Sequence, residues 1–380
     1  MNLLTIIGAR PQIIKAAAIS RAIAAWNNSH SAESHIREVL LHTGQHYDDN
    51  MSGVFFEELG IPQPDINLHA GSGTHAEQTA RMMVGIERVL ADGHFDAVLL
   101  YGDTNSTLAG AVVAAKMGVP VCHVEAGLRS FNMSMPEEQN RIVCDKLSSV
   151  LFAPTQTAVD NLKREGAGNV SFNDRRKLVL SGDVMYDNSM YFAQMAEQKS
   201  CVLSRLGLEK KHFMLATIHR DSNTDRPERL ASIVSALLRL VEEHGQPIVW
   251  PLHPRTRKML PLSLPAGLYN QLTAHPLIRL TDPASFFDII MLERYASLVI
   301  TDSGGVQKES FFFETPCVIL RPETEWVEIV EAGAGVLADA DECRILEAAR
   351  KLLGTDVCFP PLFGDAHAAE KIIEVIINNI

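Results

Sequence analysis

The chain has 380 residues, of which 46% are hydrophobic and 21% charged, with a formal net charge of −12. That length fits two domains, each large enough for its own core. The acidic balance excludes broad nucleic-acid or anionic-membrane binding, so an anionic ligand must be met by local positive groups.

Short apolar runs alternate with helical patterns from the first residue. Leu3–Ile7 reads as a strand and Ile13–Ala25 as a helix; Glu38–Leu41 is the next strand. Gln78–Leu90 reads as a helix, Ala97–Tyr101 as a strand, Leu108–Met117 as a helix and Val119–Val124 as a strand. Glu137–Ser148 is helical and Val150–Ala153 a strand. This rhythm predicts a parallel, doubly wound sheet with helices on both faces. It restarts after residue 180, with Phe213–Thr217, Pro247–Trp250, Leu298–Thr301 and Cys317–Leu320 as strands and Pro227–His244 as a helix. The expected fold class is therefore α/β, with two Rossmann-like domains and a central cleft. The first domain is expected over 1–180 and the second over 181–365. No apolar run reaches membrane-spanning length, and Met1–Ile7 is too short for a secretory leader. The six cysteines are scattered without a C-x-x-C, as expected of buried thiols in a reducing cytoplasm.

In open α/β sheets ligands sit at the carboxyl ends of strands, and the polar clusters of this chain fall there. After the first strand, Gly8-Ala9-Arg10-Pro11 opens a helix, which places Arg10 at its mouth with Lys15 nearby. Arg10 presents a fork suited to phosphate or carboxylate. Asp103 follows the strand ending at Tyr101, Glu125 follows the strand ending at Val124, and Glu137 opens the next helix. Singly, Asp103 reads as a helix cap and Glu137 as a dipole partner; together three acids suit general acid–base work.

In the second half, His219 and Arg220 follow the strand ending at Thr217, and His253-Pro254-Arg255 follows the strand from Pro247. Thr301-Asp302-Ser303-Gly304-Gly305 joins a strand to a helix. Its free N–H groups and partial positive charge make a phosphate site, and Gly304 and Gly305 leave room for phosphate oxygens. Glu309, about one turn on, is placed to accept from ribose hydroxyls. No G-x-G-x-x-G follows the first strand and no Walker A motif is present, which weighs against nicotinamide chemistry and P-loop hydrolysis. His42 and His46 flank Thr-Gly-Gln without a carboxylate at metal spacing, so no metal is expected. No cofactor is expected either.

The combination Gly-Asp-Thr (102–104), His-Val-Glu-Ala-Gly-Leu-Arg (123–129), Pro-Glu-Glu-Gln-Asn-Arg (136–141), Thr-Ile-His-Arg (217–220) and Thr-Asp-Ser-Gly-Gly (301–305) resembles the non-hydrolysing UDP-N-acetylglucosamine 2-epimerase family. The resemblance runs from Gly8 to Glu328. It implies a glycosyltransferase-B-like fold, a final helix (366–380) returning to the first domain, and a homodimer in the cytoplasm. It also implies the reaction: UDP leaves C1 as C2 loses its proton, giving a bound 2-acetamidoglucal, and UDP re-adds after C2 is protonated on the opposite face. By resemblance Asp103, Glu125 and Glu137 are the acid–base groups and His219 supports the diphosphate. Arg10, Ser303, Gly304 and Gly305 would hold phosphates, Glu309 the ribose and Lys15 the sugar end, with Arg141, Arg220, His253 and Arg255 among the substrate-binding residues. The destination implied is a cell-envelope polysaccharide, such as a capsule or O-antigen.

The chain departs from the family pattern in places. Ser222 stands where the family's His-Arg-x-Glu-Asn has Glu. Gln45-His46-Tyr47-Asp48 lies where relatives help bind a second, activating UDP-sugar. Trp-Pro-Leu-His-Pro-Arg (250–255) and Thr-Glu-Trp-Val-Glu (324–328) resemble the branch acting on UDP-2,3-diacetamido-glucuronic acid, for whose carboxylate Arg255 or Arg129 would serve. Two other readings stay open: a glycosyltransferase of the same fold, for which three acids are surplus, and a hydrolysing epimerase that releases free sugar.

Overall fold

A computed structural model describes residues 1–44, 62–169 and 176–380. The Gln45–Asp48 motif therefore lies outside the described residues. The chain divides into two compact units, Met1–Asn188 with Pro361–Ile380, and Ser189–Pro360.

In the first unit the strands are β1 (Asn2–Ile7), β2 (Arg37–His42), β3 (Ile66–Asn67), β4 (Ala97–Tyr101), β5 (Val121–Val124), β6 (Val150–Ala153) and β7 (Lys177–Leu180). They pair in parallel in the order β3-β2-β1-β4-β5-β6-β7. A parallel sheet is covered on both faces, which is why its strands are continuous apolar runs. Leu3, Leu4, Ile6 and Ile7 are fully buried, as are all five residues of β4. Burying each large side chain of this kind is worth roughly 1.5–3 kcal/mol.

Caps set the helix starts. The helix after β4 begins at Asn105, three residues before the apolar run at Leu108, because the Thr104 side chain accepts from the Thr107 N–H. Strand β5 begins at Val121, two residues later than expected, after Pro120, which has no N–H to give a ladder. The final helix, Ala368–Asn379, packs against the helix Arg10–Ser29. Asp187 anchors its start, accepting from the N–H groups of Ala368 (3.2 Å) and Ala369 (2.7 Å).

The second unit holds β8 (Met214–Thr217), β9 (Ile248–Pro251), β10 (Ile278–Thr281), β11 (Leu298–Thr301), β12 (Cys317–Ile319) and β13 (Gly335–Leu337), parallel in the order β10-β9-β8-β11-β12-β13. Its core gathers Trp250, the inner face of Pro227–His244 and the helix Glu342–Gly354. The helix Pro227–His244 stops at Gly245, which takes the left-handed conformation (φ 65°) that glycine adopts without penalty. Strands β3, β7, β10 and β13 had no sequence signal: each has two to four residues, and most of their side chains are only half-buried.

The two sheets share one winding rule. Strand order reverses between β1 and β4 in one and between β8 and β11 in the other. Such switch points open a crevice at the carboxyl ends of the strands. No helix among the described residues is long and apolar enough to cross a membrane.

Candidate active site

The switch point of the first unit is closed by Gln12. This buried side chain accepts from the N–H groups of Gly8 (2.9 Å) and Ala9 (3.2 Å) and donates to the Tyr101 carbonyl (2.7 Å) and Thr107 hydroxyl (3.0 Å). It thereby ties the β1 turn to the end of β4. Two backbone donors at the mouth of the Arg10–Ser29 helix are thus already used, and Arg10 at that mouth is exposed. Gly8 is required by close approach: any side chain would overlap the hydroxyls of Thr43 and Ser106.

Lys15 reaches from that helix to form an ion pair with Glu125, and both are largely buried. Glu125 itself holds a positive φ of 66°, rare for a residue with a Cβ. Asp103 pairs with Arg141 Nη2 at 2.5 Å, while Arg141 Nη1 donates to Glu138 at 2.8 Å. Glu138 is almost fully buried and also accepts from Ser130 and Phe131. Burial pushes its carboxyl up, and these donors with Arg141 more than reverse it, holding it below the usual range. Glu137, one residue earlier, is exposed and has no partner among the described residues. The structure thus groups Lys15, Asp103, Glu125 and Arg141 at the ends of β4 and β5, and leaves Glu137 facing outward on its helix.

Beneath these turns lies a buried charged network. His123 Nδ1 is 2.7 Å from Asp145 Oδ1 and Nε2 is 2.8 Å from the Gly102 carbonyl. Asp145 Oδ2 accepts from the Gly127 N–H at 3.1 Å and pairs with Arg129 at 2.7 Å. Arg129 also forks onto Glu165 at 2.7 and 2.9 Å. This corrects the expectation that Arg129 is available to a sugar carboxylate: its side chain is 1% exposed and already paired with the buried Asp145 and the half-buried Glu165.

In the second unit Asp302, fully buried at the end of β11, organises the turn after β8. It accepts from the backbone N–H groups of His219 and Arg220 and from the Asn223 amide, all at 3.1 Å. His219 Nδ1 lies 3.4 Å from the same carboxylate, and the His219 and His253 rings stand 5.8 Å apart. His253 is less a free ligand than a cap, since its ring accepts from the Arg255 N–H. Arg255 is ion-paired with Asp225 at the surface.

Ser303 caps the helix Gly304–Phe312, accepting from the Val306 N–H at 3.5 Å. Gly304 is walled by Glu325, which Arg321 holds at 2.7 Å, and its carbonyl accepts from Trp326 Nε1 at 2.9 Å. Gly305 is open: a Cβ there would meet only the Ser303 hydroxyl, at 3.9 Å. Glu309 lies further along this helix, its carboxyl pushed up to about 7 by burial and eased slightly by Lys308. Nearby Glu293 is buried with neither carboxyl oxygen hydrogen-bonded among the described residues. Among the described residues no cluster of three His, Cys, Asp or Glu is arranged to hold a metal.

Gln12, His123, Glu138, Asp145 and the turn-organising role of Asp302 were missed by sequence reasoning. Glu138, Arg141 and Asp145 do share one helix face by their three- and four-residue spacing, a signal that was there to be found. Gln12 carries none.

A family model described as UDP-N-acetylglucosamine 2-epimerase matches residues 28–377. The chain is 47% identical to the UDP-2,3-diacetamido-2,3-dideoxy-D-glucuronate 2-epimerase of Pseudomonas aeruginosa, with 99% of each chain covered. It is 39% identical to the UDP-N-acetylglucosamine 2-epimerase of Methanocaldococcus jannaschii, again with 99% of each covered. Among solved structures, that of the M. jannaschii UDP-GlcNAc 2-epimerase in complex with UDP-GlcNAc and UDP is similar over the whole of both chains, with a TM-score of 0.79 and 38% identity. The Neisseria meningitidis UDP-GlcNAc 2-epimerase bound to UDP-GlcNAc is similar over the whole of both chains at a TM-score of 0.82 and 25% identity. A trehalose-phosphate synthase from Burkholderia vietnamiensis, 12% identical with a TM-score of 0.57, shares the glycosyltransferase-B-like fold alone. The match along nearly the whole chain, over two Rossmann-like units, shows that this chain belongs to the UDP-N-acetylglucosamine 2-epimerase family and is an isomerase.

Proposed function

We propose that the chain inverts C2 of a UDP-2-acetamido sugar by eliminating and re-adding UDP. The observation that carries this is the pairing of two carboxylates at neighbouring strand ends with two cations, Asp103 with Arg141 and Glu125 with Lys15. The C2 hydrogen is barely acidic, so the C1–O bond must break with its electron pair leaving on the diphosphate as a carboxylate takes the proton. C1 and C2 are then joined by a double bond. In the return step a carboxylic acid gives C2 a proton on the opposite face and the diphosphate oxygen re-forms its bond to C1. Asp103 and Glu125, with Glu137 on the following helix, are the candidates for these transfers. Within the second unit, diphosphate charge would be met by Arg220, His219 and the helix start at Ser303, Gly304 and Gly305, and ribose by Glu309; Arg10 is the phosphate candidate of the first unit.

UDP-N-acetylglucosamine, interconverted with its manno epimer, is the substrate the family carries. A second reading, UDP-2,3-diacetamido-glucuronate, is favoured by the 47% identity to the P. aeruginosa enzyme and by the segments 250–255 and 324–328. With Arg129 internal, Arg255 is the remaining candidate for the extra carboxylate, and it would have to exchange Asp225 for it. A homodimer working in the cytoplasm on envelope polysaccharide precursors completes the proposal, resting on family resemblance.

Separation of the UDP-sugars after incubation with each compound tests both points. The proposal expects epimer from at least one without net release of UDP, and the higher kcat/KM identifies the sugar. Stoichiometric free UDP and free sugar would place the chain with hydrolysing enzymes.

A further inference from the structure

We infer that His123, held as an imidazolium by Asp145, is a positioning residue that locks together the two turns carrying Asp103 and Glu125. The role rests on the assignment of those two residues as proton-handling acids.

Both ring nitrogens of His123 face acceptors, the Asp145 carboxylate at 2.7 Å and the Gly102 carbonyl at 2.8 Å. A neutral imidazole has one N–H and satisfies only one of them; serving both requires the doubly protonated ring. The ring is fully buried, where a ring nitrogen left without a partner costs its full desolvation penalty. Burial alone disfavours the cation, but Cys144 and Asp145 more than reverse it and hold His123 well above its ordinary range. Burial likewise pushes Asp145 up, and His123 and Arg129 bring it below the usual carboxylate range.

The pair reaches both turns at once. Through Nε2 it grips Gly102, the residue before Asp103; through Asp145 Oδ2 it grips the N–H of Gly127, two residues after Glu125. Gly102 (φ 61°) and Gly127 (φ 82°) take the left-handed region without penalty, but Glu125, which carries a Cβ, is held there too (φ 66°). A non-glycine residue persists in that region only where surrounding contacts over-determine it. A single buried ion pair therefore sets the spacing between the two acids, and Arg129, paired with both Asp145 and Glu165, anchors it to the helix Gln156–Arg164 and its end.

The test has two parts. In the unaltered full-length protein labelled with nitrogen-15 histidine, the His123 resonances, assigned by their loss in His123→Gln, are expected to show both nitrogens protonated from about pH 6 to 8.5, beyond the range of an ordinary histidine. A ring that is neutral at about pH 8 overturns the proposal. In folded Asp145→Asn and His123→Gln, kcat per folded molecule is expected to fall about 100-fold with UDP affinity changed less than about twofold. A structural role alone would lower the folded fraction and leave kcat per folded molecule unchanged, and that result overturns the proposal. Asp103→Asn and Glu125→Gln run alongside separate the two failures. If they lose turnover while folded Asp145→Asn keeps it, the positioning role fails alone; if they keep turnover, the acid assignment fails and takes the positioning role with it. Should neither pair variant fold, the protonation measurement decides.

Discussion

Asp302 receives the backbone N–H of His219 on both of its carboxylate oxygens, each at 3.1 Å. One buried acid at the end of β11 thus shapes the turn after β8, directly across the switch point, where Thr217 and Thr301 face each other in register. The motif that reads as a phosphate site therefore has two parts: Ser303 to Gly305 present the helix start, and Asp302 faces inward to build the neighbouring turn.

Asp302→Asn replaces one accepting oxygen with an amide that cannot accept. The expected cost is about 1–3 kcal/mol of stability in the second unit, from buried N–H groups left without partners. UDP affinity is expected to fall at least as much, since the one remaining oxygen cannot hold the His219 and Arg220 N–H groups and the Asn223 amide in their present arrangement. Calorimetric unfolding and UDP titration check this; unchanged UDP affinity would show that the turn is not set by Asp302.

Arg141 bridges two carboxylates with two different nitrogens, a task for a planar fork that a lysine ammonium cannot copy. Arg141→Lys is expected to fold, to keep KM within a few-fold, and to lose roughly 100-fold in kcat as Asp103 shifts. Steady-state kinetics decide, and a KM effect without a kcat effect would move Arg141 from the acids to ground-state binding.

Glu309 predicts a pH dependence with a definite sign. Its carboxyl is raised from 4.5 to about 7, mainly by burial, so the folded state holds a proton that the unfolded state releases. Stability drawn from this group is therefore present below about pH 4.5 and lost as pH rises through about 7. Glu309→Gln is expected to flatten that segment of the stability curve, read as the difference from the unaltered protein at pH 5 and pH 8. A parallel pair of curves would contradict it.

Gly127 combines φ 82° with the carbonyl oxygen of Ala158, which a methyl group at position 127 would overlap. Backbone must then shift, and Gly127→Ala is expected to cost roughly 2–4 kcal/mol. Denaturant unfolding measures it. A cost near zero would mean the Glu125–Gly127 turn is more adaptable than its contacts imply.

What the sequence carried plainly was position along strands. Asp103, Glu125, His219 and Ser303 each follow a buried apolar run, so their place at a carboxyl end could be read directly. What it carried poorly was contact between distant segments. Gln12 meets Tyr101 across 89 residues and His219 meets Asp302 across 83, and a lone Gln or Asp has no periodicity to announce such a bond. The neighbouring Glu137 and Glu138 show the limit well. Both read as first-turn acids, yet only burial separates the exposed one from the one that holds Arg141. Arg129 misled for the same reason: a cation beside a motif looks available until its internal partners are known.

On the proposed route the C2 proton leaves and returns while UDP departs and re-adds. Proton NMR of the full-length protein with UDP-N-acetylglucosamine and, separately, with UDP-2,3-diacetamido-glucuronate in D2O tests it most directly. The epimer and the recovered substrate are expected to acquire deuterium at C2 while remaining UDP-linked. Epimer that keeps its original hydrogen at C2 would contradict it.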